Sequence, residues 1–305
     1  MTLQPRARFI ADAIYGQTKS GKTHQCAIAA QRMWEKFKLR TRYVGGDSGG
    51  FDTIGSLVDD GIVIPFLIVN APYPLETLSQ LCQGQWPDAN GKMSREVPTD
   101  IGLYIFEGLT SFGDLMIEHL SRNKIRLSQD PSYTFVDGKT EFSGANMSYY
   151  GEVQKQLHAR VVDSAVLSSV IPSVQRVIWT ALEGRGEEEG TKSPTYGPSI
   201  AGKKATGKAG QWFGNLLHLE MLVMEKVDTA AKQINLEQRR VMYLQPHADP
   251  LTKIPFPAST RAPFNRPKDA LPVFMDPPDI GKLYDMLDDL RNGSRTKETQ
   301  NGPQR

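Results

Sequence analysis

The chain has 305 residues, enough for one large α/β domain or two small ones around a substantial apolar core. With 39% hydrophobic residues, 23% charged residues and a formal net charge of +2, the bulk composition demands neither a nucleic acid nor a membrane as partner, so any basic patch must be local. Two cysteines, Cys26 and Cys82, with no His or Cys at metal spacing beside them, support neither a disulfide framework nor a zinc site; with no apolar run of about 18 residues, the reading is a cytoplasmic protein without a membrane partner.

Residues 8–16, RFIADAIYG, read as a strand, and residues 22–38 carry helical spacing through Ala27, Ala30, Met33, Trp34 and Phe37. Further strands are expected at 41–47, at 61–69 as a continuously apolar buried parallel strand, and at 101–112, with a helix at 74–85 before the last of these. A long helical pattern at 149–171 precedes a strand at 176–183, and strands at 215–225 and 239–246 follow without helices. Alternation of strands and helices implies a mostly parallel sheet with helices on both faces, the later strands being antiparallel additions at one edge. Two long segments, 127–147 and 184–210, take no regular assignment and read as functional or disordered loops. Residues 1–244 form the expected main domain, 245–290 a Pro-rich irregular extension with a terminal helix at 278–291, and 291–305 a disordered tail.

Gly16, Gly21, Lys22 and Thr23 match G-x-x-x-x-G-K-[ST], and the match falls between an expected strand and an expected helix. In that setting the backbone from Gly16 through Gln17, Thr18, Lys19, Ser20 and Gly21 to His24 would cradle phosphates. Lys22 would reach the β- and γ-phosphates, and the Thr23 hydroxyl would ligate Mg²⁺. Such a loop needs a second carboxylate for the metal shell; Glu107, ending the apolar run Leu103 to Phe106, is the candidate. Asp47, at the end of the second strand, is the candidate for orienting the attacking water, and Glu183, at the end of VIWTALE, for sensing the γ-phosphate. If the sheet is parallel, these groups meet at the carboxyl ends of its strands.

The order GQTKSGKT, YIFEGLTSFG, YYGEVQKQL and VIWTALEGRGEEEG, running into YGPSIAGKKATGKAGQWFGNLLHLE, resembles the RecA-like P-loop ATPases, most closely phage-encoded members associated with single-strand DNA annealing and recombination. The similarity covers about residues 8 to 290. It implies a RecA-like P-loop NTPase fold, ATP and Mg²⁺ as cofactors, and a homo-oligomer, ring or filament, acting on single-stranded DNA in phage recombination or replication. It also places a DNA-contacting loop after VIWTALE, at 184–210. Glu107 stands where the family usually has Asp, and Asp47 where it usually has Glu, so slow hydrolysis or an ATP-gated assembly switch is implied.

The 184–210 segment supplies Arg185, Lys192, Lys203, Lys204 and Lys208 for phosphate contacts, beside the acidic run Glu187 to Glu189. Tyr196 is a base-stacking candidate, whereas Trp212 reads better as core. In the RecA-like family a cation from the neighbouring subunit completes the site; Lys203, Lys204 and Arg261 are the candidates, and nothing in the sequence chooses among them. Two other readings remain open: a nucleotide-gated adaptor with little hydrolysis and a protein partner, and a P-loop kinase acting on a small acceptor.

Overall fold

The computed structural model describes residues 10–46, 49–71, 73–95, 97–122, 147–188, 190–200, 203–228, 233–261 and 271–292. The first half comprises strand β1 (Ala11–Gly16), helix α1 (Lys22–Phe37), β2 (Arg40–Gly45), α2 (Phe51–Asp59), β3 (Val63–Leu67) and α3 (Pro74–Cys82). The short strands β4 (Trp86–Pro87) and β5 (Met93–Ser94) precede β6 (Ile101–Glu107), α4 (Leu109–Arg122), α5 (Met147–Ala165) and α6 (Leu167–Val170). Next come β7 (Arg176–Glu187), β8 (Pro194–Pro198), α7 (Lys203–Ala209), β9 (Asn215–Asp228) and β10 (Gln233–Tyr243). The chain then runs through β11 (His247–Ala248), β12 (Pro255–Phe256) and β13 (Phe274–Met275) to α8 (Ile280–Asn292).

One mixed, mostly parallel sheet has the order β13-β10-β9-β1-β7-β6-β2-β3, with β8 paired to β7 off that path. From β9 to β3 every pairing is parallel. Side chains alternate between faces with the two-residue period of a strand. In β6, Tyr104 and Phe106 enter one core layer and Leu103 and Ile105 the other; in β7, Val177 and Trp179 face the first and Ile178 the second. The first layer is closed by apolar residues of α3, α4 and α5, including Leu78, Phe112 and Leu157. The second is closed by α1, α2 and α8, through Met33, Ile54 and Leu287 among others. The fold is therefore α/β with helices on both faces. Among the described residues no helix is long and apolar enough to cross a membrane.

The elements depart from expectation in a few places. The strand expected through Phe112 ends at Glu107, because Gly108 has φ +107 and turns the chain into α4. β3 is parallel to β2 as expected but is not buried throughout: it is the sheet edge, paired on one side only and partly exposed from Ile64 onward. β9 is not an antiparallel addition: it runs parallel to β1, and only β10 and β13 add in the antiparallel sense. The segment 184–210 is largely regular: β7 continues to Glu187 and pairs antiparallel with β8, and α7 follows. Residues 127–146 of the other long segment and most of the tail lie outside the described residues.

Candidate functional site

The phosphate loop joins β1 directly to α1, as the motif requires. Lys19 and Gly21 take left-handed conformations, φ 65 and 104, and Gly21 caps α1 without a side-chain hydrogen bond. The first amides of α1 thus lack intrahelical acceptors and point out of the helix end, where its dipole is positive. Gln17, Thr18, Lys19 and His24 are exposed, and Ser20 is buried. Lys22 lies across the loop, its Nζ donating to Gly16 O at 2.9 Å and Gln17 O at 2.7 Å. Burial holds its ammonium down to about 8, against 10.5 ordinarily, with the Glu107 carboxylate opposing that shift.

Glu107 comes to this loop from β6, with β7 as the one strand between. The Thr23 hydroxyl donates to Glu107 Oε1. Burial raises the Glu107 carboxyl above its ordinary value, and the Thr23 hydrogen bond and Lys22 act the other way. Its second oxygen, Oε2, is buried with no hydrogen-bond partner among the described residues, as are Tyr43 Oη and Ser20 Oγ. Gly50 closes over this point: a Cβ there would run into both Glu107 Oε2 and Tyr43 Oη. A buried carboxylate oxygen without a donor is costly unless a cation or water answers it. Thr23 and Glu107 fit a small hard cation such as Mg²⁺, which takes oxygen ligands and keeps several waters. Asp47 lies outside the described residues, between Gly46, which follows β2, and Gly50. Gly46 N donates to Glu107 O at 2.8 Å, so the chain leading to Asp47 is fastened beside Glu107.

A pocket of about 400 Å³ opens beside the loop, lined by Gly21, His24, Gln25, Arg239, Arg240 and Pro277 among others. The Arg240 side chain passes Gly21 so closely that a Cβ there would stand 3.2 Å from its Cδ. Sequence reasoning did not select Arg240 or Tyr43, since their place depends on which strands become neighbours. Arg239, the residue before, pairs with Asp276.

Glu183 follows the part of β7 paired with β1 and opens the pairing with β8, but its carboxylate is engaged: Oε2 lies 2.9 Å from Nε2 of His218. His218 Nδ1 lies 3.1 Å from Nε2 of His247, and Glu220 Oε2 is 3.8 Å from that same His247 nitrogen. This cluster was not anticipated; its only trace in the sequence is the alternation His218-Leu219-Glu220, which puts two ligating side chains on one face of a strand.

The basic candidates divide between the hairpin and its surroundings. Arg185 is exposed on β7, opposite Tyr196, and Lys192 stands at the turn with φ 56. Lys203 and Lys204 open α7, and Lys208 lies in its last turn. Tyr196 is stacked on Phe256 with centroids 4.3 Å apart, and Trp212 is buried against His158. Arg261 is exposed, with its backbone N–H donating to Asn215 Oδ1 at 2.8 Å, near the amino end of β9 and away from its own phosphate loop. No family model matches the chain, and a search of the curated proteins gives no match either.

Proposed function

We propose that this chain is a RecA-like P-loop ATPase that binds ATP with Mg²⁺, hydrolyses it slowly, and binds single-stranded DNA as a nucleotide-controlled homo-oligomer in phage recombination or replication. The observation that carries this reading is the meeting of Thr23 with Glu107 at the mouth of the phosphate loop, with Glu107 Oε2 left without a donor among the described residues. The loop amides and Lys22 would hold the phosphates, Thr23 and Glu107 the Mg²⁺, and the pocket beside Arg240 the nucleoside. Bound Mg²⁺ would neutralise charge developing on the transferred phosphoryl group. Lys22 would exchange its two carbonyl acceptors for phosphate oxygens, and Glu107 would keep Thr23 oriented.

The DNA side of the proposal rests on position. The β7–β8 hairpin continues β7 beyond the residues paired with β1 and β6, so it projects from the sheet edge that carries the phosphate loop. Thr110 ties the two regions: its Oγ1 accepts from Leu182 N at 3.1 Å and donates to Ser199 O at 2.8 Å. Gly108 N donates to Thr180 Oγ1 at 3.0 Å. A change at Glu107 therefore has a short bonded route to the hairpin. The test is ATP turnover with and without single-stranded DNA, with Lys22→Ala as control. Stimulation by DNA that disappears in Lys22→Ala is the expected result; ATP binding without turnover or stimulation would leave the nucleotide-gated adaptor as the better reading.

A further inference from the structure

We propose that His218, His247 and Glu220 form a binding site for a divalent transition metal of the Zn²⁺ type, with Glu183 as the outer carboxylate that orients His218. The site is separate from the Thr23–Glu107 position and does not depend on the ATPase reading. One nitrogen of each histidine and a carboxylate oxygen of Glu220 lie within 4.8 Å of one another. Zinc holds nitrogen and oxygen ligands at about 2.0–2.2 Å, so ligand atoms around a tetrahedral ion stand roughly 3.3 Å apart. The separations of 3.1 Å between the two histidine nitrogens and 3.8 Å between His247 and Glu220 fall on either side of that edge.

The arrangement around these atoms is that of a built site. His218 is fully buried, and its Nε2 faces Glu183 Oε2 at 2.9 Å. That bond is satisfied when Nε2 carries the proton, which leaves the Nδ1 lone pair directed at His247. A carboxylate on the far nitrogen of a histidine is the usual outer partner of a metal-bound imidazole, and it makes the ligating nitrogen more basic. Rings fix the rest: Phe256 stacks on His218 with centroids 4.4 Å apart, and Tyr243 stacks on His247 at 3.5 Å. Two imidazoles and one carboxylate favour a borderline ion over Mg²⁺ or Ca²⁺, and three protein ligands leave a fourth position for water. On binding, the proton that His247 Nε2 shares with His218 moves to His247 Nδ1, so the ion replaces a hydrogen bond without changing the charge of either ring.

The ligands come from two parts of the chain. His218 and Glu220 belong to β9, next to the strand that ends in the phosphate loop, whereas His247 belongs to β11 in the Pro-rich extension. The ion would thus fasten that extension to the sheet, adding to the bond from Tyr15 Oη to Pro257 O at 2.7 Å.

The test is a titration of tag-free, chelator-treated full-length protein with Co²⁺ in the absence of nucleotide. The expected result is one Co²⁺ per chain with the intense visible bands of four-coordinate cobalt, bleached by Zn²⁺ and unchanged in Thr23→Ala. His247→Gln, at a partly buried position on the short strand β11, should abolish the bands, and Glu183→Gln should keep the stoichiometry while weakening affinity by about 10–100-fold. Should His247→Gln fail to fold by circular dichroism, Glu220→Gln reads the same loss. Weak six-coordinate bands, or bands that survive in whichever of these two ligand variants folds, would overturn the proposal.

Discussion

Lys22 shows how a single burial sets a measurable pH dependence. Its folded-state value is about 8 and its ordinary value 10.5, so between these the unfolded chain binds more protons than the folded one. Stability from this residue therefore rises with pH across that window, by about 3 kcal/mol in full. Buried Cys26 and Cys82 titrate nearby with the opposite sign, so the quantity to measure is the difference between wild type and Lys22→Met. Urea unfolding at pH 8 and 10.5 should show wild type gaining on the variant; a constant difference would mean that Lys22 is not desolvated. Glu107→Gln tests the neighbouring group. It keeps the side chain's size and still bonds Thr23, but removes the charge, so turnover should fall on the order of 10²-fold, the cost of losing one electrostatic contact in a transition state, while nucleotide binding persists. Equal loss of binding and turnover would instead assign Glu107 to holding the loop. Gly16 has a different constraint from either: a Cβ there would run into the backbone carbonyl of Leu219, so its role is to let β9 approach the loop.

At the level of elements, what could be read from the sequence was what local pattern decides. β1, the loop and α1 follow from an apolar run, glycine punctuation and helical spacing, and all three are present. β8 could not be read that way. Its sequence PTYGP has two prolines and a glycine, and its strand form depends on pairing with the end of β7 and on cover from α7, whose Gly207 has room for no side chain against Glu187 O. α2 was missed for a similar reason, since Gly55 weakens its helical signal. That Glu107 would come to the loop was legible from the loop motif and the parallel strand ends, but Tyr43, Arg240 and the histidine cluster depend on neighbours far away in sequence. The β7–β8 hairpin carries its own prediction. If Arg185 and Lys192 each contact a DNA phosphate, Arg185→Ala with Lys192→Ala should lower the slope of log affinity against log salt by about 1.4, at roughly 0.7 per contact for single strands. Filter binding over a salt series measures this, and an unchanged slope would move the DNA surface off the hairpin. Thr110→Val, which leaves Leu182 N without its acceptor, should spare basal turnover and reduce DNA stimulation.

On the scale of the whole molecule, α8 returns the end of the described chain to the same core as its beginning. Ile280, Leu283, Tyr284 and Leu287 enter the layer that holds Ile14, Cys26 and Met33. Two acidic residues of α8 then meet cations from elsewhere, and their surroundings decide which matters. Asp285 pairs with both Arg32 and Lys36 of α1, but each partner is more than a third exposed, so water screens the interaction and ordering two long side chains offsets it. Asp288 has one partner on the sheet, Arg176 at 2.6 Å, whose side chain is only 6% exposed and lies over the Tyr284 ring at 4.3 Å. Removing Asp288 leaves that guanidinium buried with less compensation, and a charged hydrogen bond of this kind is worth about 1.5–3 kcal/mol. Asp288→Ala should thus destabilise by about 2 kcal/mol and Asp285→Ala by less than about 1 kcal/mol, although Asp285 hydrogen-bonds two cations while Asp288 pairs closely with Arg176 and, at 3.9 Å, with Arg291. Chemical denaturation of both variants decides it: a larger loss at Asp285 would mean that two close exposed cations, and not the burial of one, set how firmly α8 closes the second face.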